Sequence, residues 1–246
     1  MNDRSGVGEL RTTQRHNSAS QSADLAIRRL DRWWLDAFVR GPHVLELGCG
    51  DGTSTQMLDA RGLAVDVVEK DADFCQNLLA RLPGARLTIH ECAYESFSPT
   101  RAYDDVVFAR SLDQVEAPVS LLERIRGWIA PGGRLHVVVQ NAESLHRRIG
   151  QALGHLPSLT HLSQKSLAAG HKRVYTKLTL LQDLEAAGYR VRECEGFLLK
   201  PFDYDSLGRL DMPLVEELFP ALFAVGRDVP DELCCQLYVL ASAKES

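Results

Sequence analysis

Three glycines, Gly48, Gly50 and Gly52, fall within five residues of the stretch VLELGCGDG at 44–52, with Glu46 just ahead of them. Glycine is costly inside helices and strands. Such a cluster marks backbone that must turn sharply or let another molecule approach closely. Glu69 follows Gly48 by 21 positions, at the end of an apolar run. In nucleoside-binding α/β folds a carboxylate at about this distance accepts hydrogen bonds from ribose hydroxyls, and its two oxygens suit two neighbouring donors. A helix start after the glycines adds partial positive charge that favours a ligand carboxylate or phosphate. Further along, Asn141, His171 and Tyr175 lie at a strand end or in a loose segment, where such folds line their ligands. His171 and Tyr175 carry groups able to take a proton from an attacking nucleophile.

These residues need a scaffold, and the pattern supplies one. Residues 44–47 read as the end of a buried strand opened by Gly41-Pro42. TSTQMLDARG reads as a helix capped by Thr53 or Ser54 and stopped by Gly62. GLAVDVVEK, ARLTIHEC, YDDVVFAR and GGRLHVVVQN read as four more strands, with helices ADFCQNLLARL and PVSLLERIRGWI between them. The alternation implies parallel βαβ units. After Asn141 the pattern loosens, and 155–175 is rich in Ser, His and Lys. His146, on an amphipathic stretch, reads as a surface residue. TKLTLLQDLEAAG is an amphipathic helix, YRVRECEGFLL a strand, 211–225 a helical pattern interrupted by Pro220, and CCQLYVLASA a last strand.

The expected architecture is α/β: a doubly wound, Rossmann-like seven-stranded sheet, mostly parallel with an antiparallel last strand, plus a small helical cap. A mobile N-terminal tail is expected at 1–20. The core is expected over 21–143 and 177–246, with 144–176 inserted as a cap or lid between strands five and six. Trp33 and Trp34 share an amphipathic helix but face different ways. One is expected in the core; for the other, closing over a ligand cation and plain core packing are both open, with burial tendency favouring the core.

The glycine spacing is G-x-G-x-G, unlike the G-x-G-x-x-G of dinucleotide sites. With Glu46 it resembles motif I of the class I S-adenosylmethionine (SAM) dependent methyltransferases. YDDVVFARSLDQVEAP resembles that family's fourth strand and following turn, and Pro131-Gly132-Gly133 its turn before strand five. The resemblance covers about 43–140. It implies SAM as cosubstrate, with no metal. It implies that Glu46, Gly48, Cys49, Gly50 and Gly52 form the cofactor loop, and that Glu69 and Lys70 stand at the ribose. Cys92, Ala93 and Tyr94 would lie near the adenine. Cys92 stands where the family often has an acid, which leaves the adenine amino group to backbone or Tyr94. Ala109 and Arg110 would lie near the methionine part.

A softer resemblance covers NAESLHRRIG and the stretch from GHKRVYTK to LLKP. It points to small bacterial enzymes of this superfamily with varied small-molecule substrates. It implies that Asn141, His171 and Tyr175 sit in or beside the catalytic site. Two reactions remain open on the sequence. One is SN2 methyl transfer from the sulfonium to a small molecule. The other acts on SAM alone: its α-amine attacks its own chain, giving azetidine-2-carboxylate and methylthioadenosine. A non-enzymatic SAM-binding protein is a third reading.

The 246 residues are 45% apolar and 25% charged, with net charge −5. No basic block suggests a nucleic-acid partner. No apolar run reaches membrane-spanning length, and the N-terminus lacks a secretory core, so a cytoplasmic enzyme is expected. The six cysteines show no metal-site spacing and read as free thiols. A monomer or homodimer is expected.

Overall fold

The computed structural model describes residues 25–203 and 212–244. The tail expected at 1–20 lies outside the described residues. Seven strands form one sheet: β1 (His43–Leu47), β2 (Ala64–Glu69), β3 (Leu87–Glu91), β4 (Tyr103–Ala109), β5 (Ile129–Gln140), β6 (Tyr189–Phe197) and β7 (Gln236–Ala243). Their order is β3-β2-β1-β4-β5-β7-β6. β1 pairs in parallel with β2 and β4, β2 with β3, and β4 with β5. β7 runs antiparallel between β5 and β6. This is the expected doubly wound sheet with its antiparallel last strand.

The central strands are buried on both faces, so they read as nearly unbroken apolar runs. Alternate residues serve opposite layers. In β4, Val106 and Phe108 join one core cluster and Val107 the other; in β5, Val137 and Val139 oppose Val138. The first cluster packs under α4 (Pro118–Arg126) and α7 (Lys177–Ala186), through Leu122, Ile125, Leu180 and Leu184. The second packs under α1 (Arg32–Phe38), α2 (Thr53–Asp59), α3 (Ala72–Arg81) and α8 (Met212–Gly226). Burying each such leucine contributes about 1.5–3 kcal/mol.

Local signals explain the helix boundaries. Asp71 caps α3 by accepting from the backbone N–H groups of Asp73 and Phe74. Thr176 and Thr179 form a reciprocal cap on α7. The interruption expected at Pro220 does not end α8, which carries it on an exposed side and continues to Gly226. Both tryptophans pack into the second layer. Trp34 is fully buried and stacks on Tyr238 at 5.2 Å, while Trp33 meets Tyr238 edge-on at 5.6 Å. Their rings fill the space between α1 and the sheet, the core packing that burial tendency favoured over a cover on the ligand.

Between β5 and α7 come α5 (Leu145–Ala152) and α6 (Gln164–Ala168). The two ends of this segment are pinned together: Asn141 and Tyr175 form an isolated parallel bridge, and Ala142 N donates to Tyr175 O at 2.7 Å. The chain runs from β1 outward to β2 and β3, then returns to β4 on the other side. The carboxyl ends of β1 and β4 therefore flank a crevice, the place where open α/β sheets hold ligands.

Candidate active site at the carboxyl ends of the strands

The glycine loop leaves β1 at this crevice. Gly48, Gly50 and Gly52 all adopt left-handed φ values, +83°, +51° and +77°. A side chain at Gly48 has no room: its Cβ would lie 2.5 Å from Tyr94 Oη and 2.9 Å from Ser111 Oγ. At Gly50 the neighbour is the guanidinium of Arg28, 2.9 Å from the Cβ position. Gly52, rather than Thr53 or Ser54, is the N-cap of α2, and Thr53 N donates to Asp51 Oδ1 at 3.1 Å. Asp51, one residue before the N-cap, thus accepts from the first helical N–H, a task the sequence reading gave to a hydroxyl.

A cavity of about 640 Å³ opens over this loop, within the usual range for small-molecule sites. Eight of the expected cofactor residues line it. Gly48 and Gly50 form one wall, Glu69 and Lys70 the end of β2, Ala93 and Tyr94 the turn after β3, and Ala109 and Arg110 the end of β4. Glu69 is only 7% exposed, and its Oε1 accepts from Asp71 N at 3.0 Å. Burial pushes the Tyr94 phenol up, against the opposing pull of the Ser111 hydroxyl. Arg110, at a left-handed φ of +61°, donates to both oxygens of Asp31 at 2.6 Å.

Four expected residues stand behind this wall. Glu46 is buried and accepts from Thr55 Oγ1 at 2.6 Å. Burial, then the carboxylates of Asp31 and Asp51, raises its pKa to about 7 against the pull of Thr55 and Arg28. Cys49 is 3% exposed, and burial pushes its thiol up. Gly52 packs against Leu78. Cys92 turns its side chain toward the first core cluster, with its N–H donating to Glu69 O at 3.1 Å.

The three residues expected in catalysis separate. His171 lies between Gly170 and Lys172, both of which line the cavity. Its Nδ1 is 2.8 Å from Oδ2 of Asp113, and that hydrogen bond raises the imidazole above its ordinary value despite partial burial. Asn141 is fully buried and spends its amide on the carbonyls of Asp231, Glu232 and Cys234, while its Oδ1 accepts from Glu143 N. Tyr175 is 2% exposed and donates to Asp183 Oδ2 at 2.9 Å. None of the three itself lines the cavity: His171 is flanked by residues that do, while Asn141 and Tyr175 tie the scaffold together at the two ends of the segment between β5 and α7. His146 is not the surface residue its sequence setting suggests. Its Nδ1 is buried without a partner, and burial beside Lys200 and Arg147 pushes the ring down to about 2.

Other lining residues carried no separate signal in the sequence: Arg28, Ser111, Gln114 and Lys172. Ser111 and Gln114 follow Arg110 directly, so the turn after β4 was the place to look. Arg28 sits on an ordinary amphipathic stretch, and only the fold brings it to Gly50. No helix among the described residues is long and apolar enough to cross a membrane, and all six cysteines are free.

Comparison with known proteins agrees with this fold. A family model described as a methyltransferase domain matches residues 18–193. A trans-aconitate 2-methyltransferase of Delftia acidovorans is 29% identical over 119 residues, 47% of this chain; the chain spans 44% of that relative's length. A ubiquinone biosynthesis O-methyltransferase of Idiomarina loihiensis is 24% identical over 176 residues, 67% of this chain and 72% of the relative. Among solved structures, the plantazolicin methyltransferase BpumL in complex with SAH superposes with a TM-score of 0.57 at 13% identity, over 99% of this chain and 92% of that one.

Proposed function

The chain belongs to the SAM-dependent methyltransferase family, whose cosubstrate is S-adenosylmethionine, and from that membership we propose that it transfers the SAM methyl group to a small-molecule acceptor. The observation that carries this reading is the cavity itself. Left-handed Gly48 lies bare beneath Tyr94 and Ser111, with the buried carboxylate of Glu69 on the adjoining strand end.

These residues fit an adenosyl sulfonium. Glu69 supplies acceptor oxygens for two ribose hydroxyls, and its bond from Asp71 N fixes the carboxylate beforehand. The glycines admit the ligand against main chain. Ala93 and Tyr94 offer backbone and ring to the base. The sulfonium carbon is already electrophilic, so the protein's task is to hold a nucleophile in line and exclude water. The relatives named for trans-aconitate and for ubiquinone biosynthesis support a small organic acceptor.

Calorimetry with SAM tests the reading. SAM and S-adenosylhomocysteine should bind, NAD should not, and Glu69→Ala should weaken binding about tenfold or more through the lost charge-assisted hydrogen bonds. An absence of SAM uptake would sink it. The azetidine-forming alternative needs polar groups that hold the methionine chain folded, and Asn141 and Tyr175, expected in or beside the site, are committed to the scaffold. SAM incubated alone should therefore give no methylthioadenosine above the uncatalysed background.

A further inference from the structure

We propose that a second cavity, walled by Arg29, Arg32, Arg61 and Arg81, is a binding site for a phosphate dianion, taken up either as inorganic phosphate or as a small phosphate monoester. The site stands apart from the cavity over the glycine loop and does not depend on which acceptor is methylated.

This cavity measures about 370 Å³ and is lined from residues 25–36, from α2 and the turn that follows it, and from Arg81 at the end of α3. It shares no lining residue with the cavity that Gly48 and Glu69 border. Its volume suits a small ligand.

The charge in it is one-sided. Four guanidiniums line the cavity against a single carboxylate, Asp36, in a chain whose net charge is −5. Asp36 is divided between two of them: Oδ2 lies 3.3 Å from Arg32 Nε, and Oδ1 lies 4.0 Å from Arg61 Nε. Arg29 makes no ion pair or hydrogen bond among the described residues. Clefts lined by charge of one sign concentrate counter-ions of the other.

Two of the arginines are held in place by neutral groups. Arg61 donates through Nη1 to Leu35 O and through Nη2 to Val39 O, around the end of α1. Arg81 donates through Nη1 to Asp51 O and through Nη2 to Gln56 Oε1, the latter at 3.2 Å. Carbonyl oxygens fix the direction of a guanidinium without cancelling its charge. The positive field is therefore built into the packing of α1, α2 and α3 and is not left to mobile side chains alone.

Thr53 supplies an independent observation. It lines the same cavity and is 6% exposed, and its Oγ1 is buried with no hydrogen-bond partner. A buried hydroxyl left unpaired is costly. An anion seated among the arginines offers it an acceptor oxygen.

The excess of positive charge decides the class of anion. A carboxylate brings one negative charge and two oxygens. A phosphate brings close to two charges and three terminal oxygens, which match planar guanidinium forks and leave an oxygen for the Thr53 hydroxyl. Leu25, Met57 and Ala60 add apolar lining on which the organic part of a monoester can rest.

Calorimetry on the full chain tests this with inorganic phosphate, hexyl phosphate and hexanoate at fixed ionic strength, each with and without saturating SAM. Both phosphates should bind, and hexanoate at least about tenfold more weakly. Tighter binding of hexyl phosphate marks a monoester as the ligand, and equal affinity marks inorganic phosphate. SAM should displace neither. Arg29 and Arg32 are exposed, so their replacement leaves the core intact. The double variant Arg29→Gln/Arg32→Gln should bind phosphate at least about tenfold more weakly, with an unchanged urea midpoint. Thr53→Val, which deletes the hydroxyl at similar volume, should weaken hexyl phosphate about fivefold. The proposal is overturned if neither phosphate binds, if hexanoate binds as tightly, if the arginine replacements leave affinity unchanged, or if SAM displaces the phosphate. Failure of SAM itself to bind would remove the methyl-transfer reading and leave this test standing.

Discussion

Asp31 and Arg110 meet in a two-pronged ion pair, with both oxygen–nitrogen contacts at 2.6 Å, and it ties the N-terminal helical region to the end of β4 at the cavity. Asp31 is fully buried, and the Arg110 side chain is 8% exposed. Asp31 also accepts from Trp34 Nε1 at 3.1 Å. The pair thus joins the aromatic layer under α1 to a wall of the site.

Breaking this pair from one side leaves a charge buried and unmatched. Such losses cost about 3–5 kcal/mol. Asp31→Asn should lower the urea midpoint accordingly, with little change in slope, and should weaken SAM binding as the Arg110 wall loosens. A midpoint equal to that of the unsubstituted protein would show that the pair holds nothing.

Gly48→Ala should fail for two separable reasons. An L-residue at φ +83° is strained by about 1–2 kcal/mol. The added Cβ also overlaps Tyr94 Oη, and overpacking adds about 1–3 kcal/mol. Tyr94→Phe removes the overlapping oxygen, so the double variant should recover part of the loss, by about 1 kcal/mol. Ser111 Oγ at 2.9 Å and the backbone strain remain, so recovery is incomplete. Strict additivity in a double-mutant cycle would show that Tyr94 is not the obstacle.

The sequence disclosed what is local or periodic. The glycine loop, Glu69 and the parallel strands were legible because each is written in adjacent residues or in one repeating pattern. The long-range pairs that pack around it were not. Asp31 and Arg110 are 79 positions apart, and Asp113 and His171 are 58 apart. Nothing in either stretch names its partner; only the crossover from β3 to β4 and the return of the inserted segment bring them together. Asn141 misled for a related reason. A strand end over the crevice does face ligands in such folds, but here three carbonyls from 231–234 arrive first and take the amide. Trp33 and Trp34 were ambiguous because helical spacing fixes direction but not what lies there.

Glu46 makes stability depend on pH in a defined direction. Its folded pKa of about 7 lies above the model-peptide value of 4.5. Between these values the unfolded chain gives up its proton and the folded chain keeps it. The contribution is therefore fully present below pH 4.5 and is lost as pH rises through 7. An upward shift of this size corresponds to at most about 3 kcal/mol. Glu46→Gln should flatten that slope and exceed the unsubstituted protein in stability at pH 8, with Thr55 Oγ1 still able to donate to the amide oxygen. Denaturant curves at pH 5, 6.5 and 8 measure it; parallel pH profiles for the two proteins would exclude Glu46 as the source.

Asn141 and Tyr175 make the sharpest separation between scaffold and chemistry. Asn141→Ala removes the amide from three buried carbonyls and the acceptor from Glu143 N, which should cost about 2–3 kcal/mol. Tyr175→Phe loses one bond to Asp183 and should cost about 1 kcal/mol. Neither side chain lines the cavity, so kcat per folded molecule should stay near that of the unsubstituted protein at low temperature. A group that moved the acceptor's proton would instead take about 10²-fold or more from kcat. Rates and unfolding midpoints measured on the same preparations separate the two outcomes. A large loss of kcat with an unshifted midpoint would return Asn141 or Tyr175 to the reaction and would mean that the bridge joining β5 to α7 opens during turnover.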